Sequence, residues 1–149
     1  MKKKLTSILS IAAISFAALT FSACSGAPNH IYVEPHPSPA PATFDGSNLP
    51  KETCFFQDIP SDDVLYTVLK NFKAAKGIYG SISEVIPHAT TKIKQLGGNA
   101  AINFLAWQKG SIFPWRFVSP YATGTAIFIF NTNGKSCTEM GGMTADAFN

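Results

Sequence analysis

Ser81-Ile82-Ser83-Glu84-Val85-Ile86-Pro87-His88-Ala89-Thr90-Thr91-Lys92-Ile93-Lys94-Gln95-Leu96-Gly97-Gly98-Asn99-Ala100-Ala101-Ile102-Asn103-Phe104-Leu105-Ala106-Trp107 spells a helix, its stop and a strand in one run. Val85, Ala89, Ile93 and Leu96 recur at the spacing that puts them on one helical face. Ser81 and Glu84 stand three apart, which is the spacing of a capping box. Pro87 confines the regular helix to the residues after Ile86 or kinks it, and Gly97-Gly98 ends it. The run from Ala100 to Trp107 then reads as a strand, and Gly124 to Phe130 as another. Both are nearly continuously apolar, which predicts central strands with the helix across one face.

Upstream, Val64 to Leu69 is β-branched and aromatic enough for a strand, with a turn at Pro60-Ser61-Asp62-Asp63 before it and Cys54-Phe55-Phe56 as a shorter strand. The expected fold is therefore α+β: a small sheet of about four strands with one helix packed on one face. The segment from Gln108 to Thr123 is too long for a tight turn and carries Ile112, Phe113, Trp115, Arg116, Phe117 and Tyr121. Two readings stay open for it. It folds back over the sheet face that one helix leaves bare, or Phe113, Trp115, Arg116 and Phe117 form a partner surface, since these residue types are enriched at interface hot spots.

The N-terminus reads Met1-Lys2-Lys3-Lys4, then an apolar run from Leu5 to Phe21, then small residues ending at Cys24. At about 17 residues the run is at the lower limit for spanning a bilayer, and no basic stop-transfer flank follows, so it reads as a signal peptide covering residues 1–23. Phe21-Ser22-Ala23-Cys24 resembles the lipobox of bacterial lipoproteins, with Phe21 in the place of the usual Leu. The resemblance implies that Cys24 carries a diacylglyceryl group and an N-acyl chain such as palmitate. Ser25 is not the Asp that retains such proteins at the inner membrane, so the implied address is the outer membrane, lipid-anchored, with the domain in the periplasm or at the cell surface.

Residues 24–53 have tether composition, with Pro35, Pro37, Pro39 and Pro41 on alternate positions. Such a segment is expected to be semi-rigid and to rise about 3.1 Å per residue where it is extended. The domain proper spans 54–137, and residues 138–149, small and Gly/Met-rich, are expected to form a flexible tail. With Cys24 lipidated, Cys54 and Cys137 remain, at opposite ends of the domain and without CxxC or CxxH neighbours. In an oxidising compartment this points to a disulfide, with a metal site as the weaker reading. In the chain-entropy model a bridge that long stabilises by roughly 4 to 5 kcal/mol, a large share for a small domain.

Removing residues 1–23 takes three lysines from the twelve basic side chains, leaving nine against nine acidic ones and a net charge of zero. Nucleic acid, which needs a basic stripe to neutralise phosphates, is not an expected partner. The histidines are His30 and His36 in the tether and His88 on the helix. None joins a recognisable catalytic or metal spacing, and no GxSxG, HExxH, P-loop or GxGxxG occurs. Asp62 and Asp63 read as a solvated turn, and Gly97-Gly98-Asn99 follows a helix, the wrong end of the dipole for an anion. Neither a catalytic residue nor a metal ligand is expected, and no cofactor beyond the lipid on Cys24.

Ile86-Pro87-His88-Ala89, Gly98-Asn99-Ala100-Ala101-Ile102 and Gly124-Thr125-Ala126 together resemble the small bacterial α+β family that includes the outer-membrane lipoprotein sensing envelope stress for the Rcs phosphorelay, and its YbjQ-like relatives. The likeness covers about a third of the chain, from Gly80 to Phe130, and its motifs are structural. It departs in having two available cysteines instead of four and a segment about one helical turn shorter before Asn99-Ala100. The resemblance implies a non-catalytic envelope lipoprotein that binds another envelope protein, with Rcs-type stress sensing as the finer expectation. A periplasmic small-ligand or metal binder is the alternative.

Overall fold

The computed structural model describes residues 28–39, 46–77, 79–110 and 118–149. The signal segment, Cys24, Pro41 and the aromatic residues Phe113, Trp115, Arg116 and Phe117 lie outside these. Strands β1 (Cys54–Phe55), β2 (Leu65–Ala75), β3 (Ala100–Gly110) and β4 (Val118–Asn131) form one mixed sheet in the order β1-β3-β4-β2. β1 runs parallel to β3, and the other neighbours are antiparallel. Among the described residues one α-helix, α1 (Ile82–Gln95), crosses one face, so the α+β expectation holds, with β3 and β4 central as their apolar runs require.

Three strands outrun their sequence signal. β2 continues through Lys70-Asn71-Phe72-Lys73-Ala74-Ala75, where Phe72 and Ala74 are buried and Asn71, Lys73 and Ala75 are exposed, a period-two pattern. β3 and β4 likewise extend along each other to the Gly110–Val118 pair, so most of the expected long excursion is a β-hairpin. Only residues 111–117 lie beyond it, outside the described part.

Helix α1 begins at Ile82, earlier than expected, and holds Pro87 inside it. The capping box does not form. Ser81 caps by position without a side-chain bond to the helix backbone, its hydroxyl instead bonds that of Ser83 at 2.6 Å, and the Glu84 carboxylate accepts from Lys76 Nζ at 2.5 Å. A charged partner eight residues upstream outcompetes the neutral backbone donor. The far end behaves as its glycines demand: Gly97 has φ +82°, its N–H donates to Lys94 O, and that of Gly98 donates to Ile93 O, a Schellman motif. Gly98 is also pressed against the sheet, where a Cβ would stand 2.8 Å from the Ile127 carbonyl.

Both sheet faces are buried. On the helix side Val85, Ile86, Ala89 and Ile93 pack on Phe55, Phe72, Ala101, Phe104 and Ala126. On the other side Phe56, Val64, Tyr66, Ile102, Ile127, Ile129 and Met140 form a second cluster around Cys54–Cys137. That disulfide closes a separation of 83 residues with its Cα atoms 5.6 Å apart. Met140 and the loop before β2 thus cover the face that the aromatic segment was one candidate to cover.

The tail is a correction. Residues 138–149, expected to be flexible, pack onto the domain: Met140 is buried, Met143 exchanges backbone hydrogen bonds with Phe55, and the Phe148 ring stands edge-on to Phe55 and Phe104 at 5.7 and 5.8 Å. The small residues that suggested fraying are what allow the chain to turn back, through Gly141 at φ +86° and Gly142 against the Phe56 ring.

Candidate functional site

The first described stretch of the tether, 28–39, has neither helix nor strand, in keeping with its alternating prolines, and the second, 46–53, holds one short 3-10 turn at Gly46–Asn48. The first stretch does not stand off from the domain as a spacer would. It lies as a strap across the sheet face opposite α1, held at three places. His30 Nε2 donates to the Gln57 carbonyl at 2.6 Å. Asn103 Oδ1 accepts from the Val33 N–H at 2.9 Å while its Nδ2 donates to the Val33 carbonyl at 2.8 Å. Beyond it, the His36 N–H donates to the Tyr66 hydroxyl at 3.2 Å and the Ser38 N–H to the Tyr66 carbonyl at 3.0 Å.

Asn103 can do this because β3 is irregular there. Pairing with β4 shifts between Ile102 and Leu105, and Asn103 sits at φ +48°, a left-handed conformation that Asn tolerates better than most residues. The bulge turns a polar side chain within an apolar run toward the strap, where its amide imitates a strand edge. Asn99 plays a parallel part at the helix-to-strand turn, taking the Ile129 N–H at 2.8 Å and donating to the Ile129 carbonyl at 3.0 Å. Burial pushes the Tyr66 phenol above its ordinary pKa, so this clip stays neutral through physiological pH.

The strap enters beside Leu105, at the middle of β3. Asn29, His30 and Ile31 border a cleft of about 320 Å³ with Gln57, Asp58 and Leu105. Two residues along β3 from Leu105, and so on the same face, Trp107 packs edge-on to Tyr121 at 4.8 Å. Lys109 Nζ lies 5.7 Å from the centre of the same tyrosine ring. The Trp107 indole N–H is buried without a hydrogen-bond partner among the described residues. Ile31 and Tyr32 are 85% and 61% exposed, the most open large hydrophobic side chains of the described part.

Of the residues singled out in the sequence, the structure brings together Cys54 and Cys137. His88 is exposed on α1, and Asp62 and Asp63 form the exposed turn before β2. Asp63 pairs with Lys135, and that hydrogen bond holds its carboxyl below the usual carboxylate range. A second cleft, about 400 Å³, lies beside Cys137 between residues 47–52 and 132–139, with Lys51, Glu52, Lys135 and Glu139 in its wall. Among the described residues no three His, Cys, Asp or Glu side chains gather in a metal-holding group. Among them, too, no helix is long and apolar enough to cross a membrane.

No family model, curated protein or solved structure matches the chain.

The strap clips escaped the sequence reading. Two signals could have found them: a lone Asn inside the apolar run from Ala100 to Trp107, and the apolar triplet Ile31-Tyr32-Val33 in an otherwise polar tether.

Proposed function

We propose that this chain is a non-catalytic, lipid-anchored protein of the outer membrane that binds other envelope proteins, with stress signalling of the Rcs type as its finer role. The observation that carries the reading is the N-terminal order of lysines, apolar run and Phe21-Ser22-Ala23-Cys24. A Cys54–Cys137 disulfide in a domain of this size supports a compartment outside the reducing cytosol. Phe113, Trp115, Arg116 and Phe117, which fall in the sequence between β3 and β4, are the proposed partner-binding residues. Metabolic labelling with palmitate tests the anchor: the wild-type chain should incorporate label, and Cys24→Ala should incorporate none. Label persisting on the variant would overturn the proposal.

The cleft beside Cys137, with two lysines and two glutamates in its wall, favours a second reading as a periplasmic binder of a small ligand or metal ion. Calorimetric titration of the mature protein with divalent metal ions separates the two, since the first reading expects no saturable heat.

A further inference from the structure

We propose that the part of the strap-bearing face where the strap enters, Ile31 and Tyr32 with the stretch of β3 from Leu105 to Lys109, is a membrane-contacting surface, which lays the domain against the lipid leaflet that holds its anchor. The inference rests on the lipoprotein reading of Cys24 and deepens it. A tether of residues 24–53 would let the domain range far from the bilayer, but the strap removes most of that length. Asn29 already lines the cleft with Leu105, and the strap is clipped from His30 onward. Between Cys24 and Asn29 the chain can span at most roughly 18 Å, even fully extended. That is less than the width of a domain of this size, whose radius of gyration is about 13 Å. The part of the domain where the strap enters is therefore held beside the headgroups, whichever way the rest points.

The residues there suit such a position. Ile31 and Tyr32 stand open to solvent, and both immediately follow the entry point. Leu105 and Trp107 share their face, Tyr121 packs on Trp107, and Lys109 stands over Tyr121. Tyr and Trp favour the membrane–water boundary because one part of each ring system is apolar and the other polar. Lysine there can extend its ammonium toward anionic headgroups while its stem stays against the rings. The strap runs from there toward Tyr66, so the exposed apolar pair is at its anchored extremity and the opposite extremity points away.

Hydroxyl-radical footprinting read by mass spectrometry tests the proposal. The acylated, mature protein is reconstituted on vesicles of phosphatidylethanolamine and phosphatidylglycerol and compared with the same chain carrying Cys24→Ala, exported behind a conventional signal peptide so that it stays in solution. Oxidation of Ile31 and Tyr32 should fall several-fold on vesicles, with Tyr121 falling too. Leu69, exposed beside Gly98 and Ile93 on the helix side, should be oxidised equally in both and serves as the internal reference. Equal oxidation of Ile31 and Tyr32 in the two samples, with the acyl mass present on Cys24 and the protein floating with the vesicles, would overturn the membrane face and leave the lipoprotein reading intact. Absence of both the acyl mass and flotation would overturn the underlying reading together with it. Protection that appears only after envelope proteins are added would assign the surface to a protein partner and overturn the proposal.

Discussion

Asn103 joins three parts of the molecule: its N–H donates to Asp58, its backbone turns the bulge in β3, and its amide holds Val33. Replacing it by Ala removes both strap bonds and asks a less tolerant residue to hold a positive φ. Leaving buried polar groups without partners costs about 1 to 3 kcal/mol. Asn103→Ala should therefore lower the unfolding midpoint and raise hydrogen exchange at Val33 and His36, measured amide by amide; unchanged exchange at Val33 would show that the strap is held by other contacts. Asp63 and Glu139 carry the pH dependence of the neighbouring turns. Lys135 lowers the first, and the Ser136 backbone N–H and hydroxyl lower the second. A carboxyl whose folded pKa is depressed adds stability that is complete above its unfolded pKa and is lost as pH falls through the folded one. Acid should thus loosen the segment from 132 to 139, and Asp63→Asn should flatten that part of the stability–pH profile while changing little at neutral pH. Both groups are solvent-exposed, so the effect is small and screened by salt.

Among the elements, the β3–β4 hairpin is the longest unit, pairing from Ala100–Ile127 to Gly110–Val118. Its inner half was legible from continuous apolar residues. Its outer half was not, because Gln108, Lys109 and Ser119 are polar and Pro120 cannot donate, features that in a sequence mark a loop. What holds them in register is the cross-strand pair Trp107–Tyr121 and the Gln108 side chain, whose Nε2 donates to the Gly80 carbonyl at 3.2 Å. Described residues already cover both faces of the sheet, and the proposed partner surface assigns Phe113 and Trp115 to binding instead of to the core. Trp115→Ala and Phe113→Ala should accordingly shift the melting temperature little while weakening capture of the envelope partner by 2 kcal/mol or more, roughly thirtyfold in affinity. A loss of about 3 to 5 kcal/mol in stability from Trp115→Ala, the usual cost of truncating a buried Trp or Phe, would retire the partner surface.

For the molecule as a whole, the disulfide and the returning tail tie the first strand to the last turns. β1 is two residues long and pairs only with β3 and, through Phe55, with Met143. Cys54 is fully buried and Cys137 is 8% exposed. Opening the bridge from either side frees the same loop, so Cys54→Ala and Cys137→Ala should lower stability by similar amounts, up to roughly 4 to 5 kcal/mol in the chain-entropy model. Denaturant curves of both variants beside the oxidised protein, with a free-thiol assay on exported material, check this. Two reactive thiols in unreduced protein would show that the cysteines serve another purpose and would raise metal binding to the first place.

Periodicity and end-of-helix chemistry belong to the sequence alone, since they depend on neighbours within a turn or a strand. The face of α1, its glycine stop, the central position of β3 and β4, and the pairing of the two domain cysteines were all readable on that basis. Contacts between segments far apart in the chain were not. The Lys76–Glu84 pair displaced a capping box of correct spacing, Phe148 found a place between Phe55 and Phe104, and Asn103 caught Val33 from 70 residues away. Each of those outcomes is set by which groups the sheet brings within hydrogen-bond or van der Waals reach, and that distance exists only once the chain has folded.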